Sequence, residues 1–107
     1  MQDLTPLFLV VTLTVRRERL GEFRAFERRA AAVMAEHGGR IERAVVGAAE
    51  GHPDLVTEVH VVSFPHAAAF AAYRADPRLG EVAHLRDAAV VSTAILAGEA
   101  GPDYHAP

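Results

Sequence analysis

The chain alternates between runs rich in β-branched residues and segments whose apolar residues recur every three or four positions. The β-branched runs predict four strands, over Leu7–Val15, Arg40–Gly47, Leu55 to the residue before Pro65, and Ala89–Ala97. The periodic segments predict helices, over Arg16–His37, His66–Asp76 and Arg78–Asp87. This order predicts an α+β, ferredoxin-like βαββαβ fold. Its four-stranded antiparallel sheet carries the helices on one face and has the first and third strands at its centre.

The first predicted helix has one apolar stripe and one charged side. The stripe consists of Leu20, Phe23, Phe26, Ala30, Val33, Met34 and His37. We expect the charged residues Arg24, Glu27, Arg28 and Arg29 to lie mostly off the stripe and to form a solvated face. Gly38 and Gly39 predict the end of the helix, and His37 in its last turn is placed to cap the negative end of the helix dipole.

The third predicted strand is the only strand-like run with both a carboxylate and an imidazole. Glu58 and His60 are two residues apart, so they share one side of the strand at a spacing of roughly 6–7 Å. If that side is enclosed, His60 is a candidate general base and Glu58 its orienting partner. The alternative is a polar pair at an interface with a second copy, and the sequence leaves both hypotheses open.

The second predicted helix begins at a proline, which is favoured in the first helical turn, and is rich in alanine. Small residues there would leave a concave space between helix and sheet. Tyr73, Phe70 and His66 share a face of this helix. Tyr73 is a candidate catalytic residue, with a core aromatic as the alternative. Phe70 and His66 are candidate substrate-binding residues, although His66 could be only an exposed helix start.

Two further candidates lie on the last helical segment. Arg86 is a candidate substrate-binding residue because a guanidinium can hold an anionic group through two hydrogen bonds. The alternative is a salt bridge to Glu81 or Asp87. His84 is a candidate for the mouth of the same cavity.

Metal and cofactor sites are not required by any motif. Glu58, His60, His66 and His84 could in principle supply two imidazoles and a carboxylate, but nothing in their spacing demands a metal. The chain has no cysteine, which excludes thiolate-ligated metals, disulfides and thiol nucleophiles. There is no Gly-rich phosphate loop, nucleophile elbow or dinucleotide fingerprint. We therefore predict no metal and no cofactor.

Composition narrows the class of protein. With 107 residues, we expect a single domain over residues 1–98 and a flexible tail over 99–107. A formal net charge of −3 argues against a nucleic-acid-binding surface. All eleven basic residues are arginine, which excludes Schiff-base lysine chemistry. No apolar run is long enough to span a membrane, the start lacks a basic leader, and a cytoplasmic location is the expectation.

The sheet face without helices is predicted to be largely apolar whichever residue parity it has. A bare apolar face needs cover. We therefore expect a homodimer in which two copies pack through their open sheet faces.

Several short motifs resemble those of the dimeric α/β-barrel superfamily. They are Glu36-His37-Gly38-Gly39-Arg40, Val62-Ser63-Phe64-Pro65, Ala68, Tyr73, Asp76-Pro77 and Leu85-Arg86. The similarity points to a small uncharacterised bacterial branch, related to NIPSNAP-type and antibiotic-biosynthesis-monooxygenase proteins. It implies a small organic ligand bound between sheet and helices, in many members without a cofactor. Tyr73 and Arg86 match recurring positions of that branch, whereas Leu79 stands where an aromatic residue is expected.

Two functional hypotheses follow. The first is a cofactor-independent enzyme, active in secondary metabolism, that rearranges, cyclises, isomerises or oxygenates a small, partly apolar molecule. His60 would be its base, Glu58 would orient His60, and Tyr73 and Arg86 would hold a carbonyl or an anion. The second is a non-catalytic ligand-binding or accessory homodimer.

Overall fold

The computed structural model describes residues 3–107, and its elements follow the predicted order. The strands are β1 (Leu7–Arg16), β2 (Arg40–Ala48), β3 (Leu55–Phe64) and β4 (Val90–Gly98). The helices are α1 (Leu20–Glu36), α2 (Ala67–Arg74), α3 (Pro77–Gly80) and α4 (Ala83–Ala89). The strands form an antiparallel sheet in the order β2-β3-β1-β4. The ferredoxin-like fold with β1 and β3 at its centre is confirmed.

The central pair of strands determines which side chains face the helices. β1 and β3 pair without interruption from Leu7 opposite Phe64 to Arg16 opposite Leu55. Even-numbered residues of β3 are buried and odd-numbered ones are half-buried, while on β1 the buried residues are odd-numbered. Since side chains alternate between faces, the buried sets lie under the helices. None of the helices within residues 3–107 covers the other face.

The apolar core divides into two clusters along the helix-covered face. One cluster contains Leu9, Met34, Val62 and Phe64. The other contains Leu13, Val15, Phe23 and Ala89. Val11 packs against both clusters, and His60 lies directly opposite it on β3. The imidazole is therefore at the junction of the two clusters, near the middle of the sheet.

Helix α1 begins later than the sequence pattern predicts. Arg16 still belongs to β1, because it pairs with Leu55, and the amide of Arg17 donates to the Asp54 carbonyl. A 3₁₀ turn over Arg17–Arg19 then leads into the helix.

The later helices also differ from prediction. Helix α2 is shorter than the predicted His66–Asp76, because His66 is extended and is the N-cap, and its imidazole Nδ1 accepts from the amide of Ala69. The predicted segment from Arg78 to Asp87 is two short helices, α3 and α4, separated by Glu81 and Val82.

Residues 99–107 are exposed and contain no helix or strand. None of the helices within residues 3–107 is long and apolar enough to cross a membrane.

Candidate active site

The floor of the site is the helix-facing side of β3. Glu58 and His60 belong to the buried, even-numbered set of this strand, and they are the buried ionisable residues of the described chain. Because they face the helices, they are not part of the open sheet face. The hypothesis of a polar pair between two packed sheets is therefore wrong for this pair of residues.

A cavity of about 390 Å³ lies between this floor and the helices. Its walls are mostly aliphatic and aromatic. They are formed by Leu9, Val11, Leu13, Phe26, Glu27, Met34, His60, Val62, Phe64, Phe70, Tyr73, Arg74, Leu79, Gly80, Ala83, Arg86, Thr93 and Ile95. An apolar space with few convergent polar groups is typical of small-molecule sites. Ile95 remains 53% exposed, so the cavity opens toward the β4 edge.

The imidazole of His60 is held in place by a hydrogen bond with Glu58. Its Nε2 lies 2.7 Å from the Oε2 of Glu58, with both side chains buried. A carboxylate can only accept, so this bond places the imidazole proton on Nε2 and leaves Nδ1 as the basic nitrogen. Glu58 does not itself line the cavity; it lies behind His60 and orients it.

Nδ1 of His60 makes no hydrogen bond within residues 3–107. Its nearest acidic oxygen is Oε2 of Glu27, at 3.9 Å, which is too long for a hydrogen bond. In the described part of the chain, every side-chain nitrogen or oxygen that is fully buried has a hydrogen-bond partner. Nδ1 has no such partner, so it is not fully buried. Nδ1 is therefore accessible from the cavity that His60 lines.

Glu27 is a site residue that sequence reasoning missed. It was expected on a solvated face, but its side chain is only 20% exposed and it lines the cavity. Burial raises the pKa of its carboxyl, and the charge of Glu58 adds to that effect, while His60 and Arg86 oppose it. The signal was present in the sequence, because Glu27 lies seven residues from both Leu20 and Met34 and thus on the apolar stripe.

Tyr73 and Phe70 project from α2 into the cavity wall. Both rings pack against the ring of Phe64. The distance between ring centroids is 5.5 Å for Tyr73 and 5.2 Å for Phe70. Burial, and secondarily the negative charge of Glu27, raises the pKa of the Tyr73 phenol to about 12. Tyr73 therefore keeps its proton at neutral pH and offers the cavity a hydroxyl donor.

Arg86, on α4, also lines the cavity. Its Nη2 donates to the Thr93 hydroxyl on β4 at 2.6 Å. No carboxylate of residues 3–107 forms an ion pair with it, since Glu81 pairs with Arg29 instead, at 3.7 Å. Its positive charge nevertheless acts on Glu27. The structure thus brings His60, Tyr73, Phe70 and Arg86 to one cavity.

His66 and His84 do not line this cavity. The Nδ1 of His66 is used to cap α2, and His84 is exposed on α4. His37, predicted to cap α1, is the C-cap residue, and its Nε2 lies 2.9 Å from the Oδ2 of Asp76. Within the described residues, no three His, Asp or Glu side chains meet in an arrangement suited to a metal ion.

The sequence matches no protein-family model and none of the curated proteins with which it was compared. Solved structures do match its fold. One is the RPA0582 protein of Rhodopseudomonas palustris, described as of unknown function (TM-score 0.75, 19% identity, covering 94% of this chain and 86% of that chain). Another is SnoaB, a cofactor-independent oxygenase from Streptomyces nogalater (TM-score 0.67, 18% identity, covering 95% and 99%).

A third is a Caulobacter crescentus protein provisionally assigned as an antibiotic biosynthesis monooxygenase (TM-score 0.67, 14% identity, covering 92% of each chain). Such identities are too low to transfer an activity, but the fold is shared over nearly the whole chain. The chain therefore has the ferredoxin-like fold of the antibiotic-biosynthesis-monooxygenase-like proteins, as its sequence motifs predict.

Proposed function

We propose that this protein is a small enzyme that binds a partly apolar organic molecule between sheet and helices and removes a proton from it without a metal or organic cofactor. The observation that carries the proposal is the buried His60–Glu58 pair beneath a cavity of about 390 Å³. A fixed imidazole with its basic nitrogen open to an apolar space is suited to general base catalysis.

The proposed step is a proton transfer from the ligand to Nδ1 of His60. Glu58, at 2.7 Å from Nε2, stabilises the imidazolium that forms. The Tyr73 hydroxyl and the Arg86 guanidinium, both on the cavity wall, donate to the oxygen on which negative charge develops. The apolar walls strengthen these interactions because they lower the local dielectric constant.

The anion formed in this step can rearrange, cyclise, isomerise or react with dioxygen. Oxygenation is supported by SnoaB, which shares the fold and is described as a cofactor-independent oxygenase. The names of other structural neighbours refer to antibiotic biosynthesis, and we extend the proposal to a role in secondary metabolism.

The test is exchange of an acidic C–H proton. The probe is 2-tetralone, a small apolar ketone, incubated with the protein in D₂O and followed by proton NMR. Wild type should accelerate exchange over buffer. His60→Ala should remove most of the acceleration, about 10²–10⁴-fold for a positioned base. Glu58→Gln should also slow exchange, because an amide can donate to Nε2 and move the imidazole proton to Nδ1.

His84→Ala is the matched control, since this histidine is exposed and outside the cavity. It should exchange at the wild-type rate. A folded His60→Ala protein that exchanges as fast as wild type would contradict the proposal. Binding of the ketone without any exchange would favour the non-catalytic ligand-binding hypothesis instead.

The proposal includes a homodimer formed through the open sheet face. Large apolar side chains are exposed on that face, among them Val45 and Leu96, each on an edge strand. The central strands add half-buried residues of the same face, namely Phe8, Val10, Val59 and Val61. Packing of two sheets would bury this surface and produce a dimeric α/β barrel.

A further inference from the structure

Glu27 extends from α1 toward the same nitrogen of His60 that the proposed reaction uses. Its Oε2 lies 3.9 Å from Nδ1, and both residues line the cavity. The two groups come from opposite layers of the fold, the helix layer and the sheet. This places a carboxyl and a basic nitrogen on the wall of an apolar space, close together but not hydrogen-bonded to each other.

We propose that Glu27 is a second acid–base residue, and that Glu27 and His60 together hold a single ligand oxygen, the hydroxyl oxygen of a phenol or an enol. This inference rests on the proposed function, because it places the reacting group of the ligand at Nδ1 of His60.

The separation of the two groups fits one oxygen atom. An oxygen about 2.8 Å from both Nδ1 and Oε2 would see them at an angle of roughly 90°, an arrangement in which a hydroxyl donates to one group and accepts from the other. The cavity is otherwise lined mainly by apolar side chains. The remainder of the ligand is thus an aromatic or aliphatic body rather than a sugar or a phosphate.

The burial of Glu27 supports a donor role, although two of the neighbouring charges, His60 and Arg86, oppose it. The ionisable groups near enough to interact electrostatically with it are Glu58 and His60 from β3, Arg86 from α4 and Tyr73 from α2. Burial is the largest effect on its carboxyl and raises the pKa, so the protonated form is favoured more than at the surface. A protonated Glu27 can donate a hydrogen bond, which an ionised carboxylate cannot.

The proton then moves in a balanced way. The ligand O–H bond breaks and an N–H bond forms at Nδ1 of His60. The electron pair stays on the ligand oxygen, which remains bonded between the new N–H and the Glu27 O–H. When the group at Nδ1 is a hydroxyl, charge-assisted hydrogen bonds from the His60 N–H and the Glu27 O–H stabilise this oxyanion, in place of those from Tyr73 and Arg86.

The experiment compares 4-nitrophenol with its methyl ether, 4-nitroanisole. Affinities are measured by calorimetry, and absorbance reports how much of the bound phenol is ionised. Wild type should bind the phenol more tightly than the ether and should ionise it below the pH at which it ionises in buffer. Glu27→Leu keeps the side-chain volume similar and removes the polar group. It should weaken phenol binding by about tenfold or more, leave ether binding unchanged, and reduce the ionised fraction.

Two further variants define the outcome. Glu27→Gln should lie between Glu27→Leu and wild type, because its amide still donates. Glu22→Gln, an exposed change on the same helix, should match wild type. Equal phenol affinity in Glu27→Leu and wild type overturns the inference, as does a wild-type protein with no preference for the phenol. Exchange of 2-tetralone protons does not involve a phenol, so a His60-dependent exchange would leave the proposed function intact in either case.

Discussion

The imidazole of His60 is flanked by carboxyl groups of unequal character. Glu58 bonds to it at 2.7 Å, while Glu27 stands 3.9 Å from the other nitrogen. Placing two carboxyl groups near each other in a largely apolar site costs stability unless one of them takes up a proton. Such a cost is typical of functional sites, where charge placement is set by chemistry rather than by folding.

This cost predicts how the stability of a Glu27→Gln variant depends on pH. Burial raises the native pKa of Glu27 above its ordinary value of 4.5. As pH rises above that value, the unfolded chain loses the proton while the native protein retains it. The wild type therefore loses stability relative to the variant. The free energy of unfolding of Glu27→Gln minus that of wild type should increase from pH 4 to pH 7, measured by urea unfolding.

Glu22→Gln provides a control of opposite sign. The backbone amide at the helix start, followed by Arg19, lowers the pKa of Glu22. Its ionised form stabilises the native state. The free energy of unfolding of Glu22→Gln minus that of wild type should therefore decrease as pH rises through the acid range. If the two variants show the same pH trend, the assignment of Glu27 as a buried carboxyl is wrong.

At the scale of elements, the end of α1 is fixed by two glycines. The amide of Gly38, with φ of 78°, donates to the carbonyl of Ala35, and that of Gly39 donates to Met34. This is the Schellman arrangement, which the Gly-Gly pair predicts. Gly39 is buried, and a β-carbon at this position would collide with the side chains of Phe64 and Met34. The helix end is therefore locked against the cluster that forms one end of the cavity.

Gly39→Ala should accordingly destabilise the protein. Overpacking of this kind costs about 1–3 kcal/mol, which corresponds to a fall in melting temperature of roughly 4–8 °C per kcal/mol for a domain of this size. Gly21→Ala is the matched control. It lies in the first turn of α1 with open space around the added β-carbon, and it should raise stability by up to about 1 kcal/mol. Thermal unfolding followed by circular dichroism measures both. A Gly39→Ala protein as stable as wild type would contradict the close packing.

The elements also show what a sequence can predict. Strand positions are predictable because the β-branched runs and the turn residues after α1 are local signals, and the sheet order follows from the βαββαβ order of the elements. The face of β3 that carries Glu58 and His60 is not predictable, since register with β1 and coverage by α1 are long-range properties. The charge of Glu27 predicts a solvated position, but its place on the apolar stripe of α1 turns it toward the cavity. His66 is a candidate ligand contact or a helix-start residue by sequence, and its hydrogen bond with the amide of Ala69 places it at the helix start.

At the scale of the whole molecule, the fold is a thin slab, 45 × 40 × 17 Å between Cα extremes. Helices cover one face of the sheet, and no helix of residues 3–107 covers the other. Burial of apolar surface is the main source of stability. A small domain with one bare sheet face buries little apolar surface and is therefore only marginally stable. Association of two copies through the bare face would supply the second layer.

The self-association can be tested at two neighbouring residues of β2. Val45 lies opposite Val59 on the open face, whereas Val46 lies opposite the buried Glu58 on the helix side. Their exposures are similar, at 57% and 52%, so a substitution costs each a comparable amount within one chain. In a symmetric dimer, Val45→Arg would place two unpaired guanidinium groups between the packed sheets. It should convert the dimer to monomer in sedimentation velocity, and it should remove the dependence of melting temperature on protein concentration. Val46→Arg should remain dimeric. A Val45→Arg protein that is as dimeric as wild type, or a wild type that sediments as a monomer, would contradict a dimer through the open face.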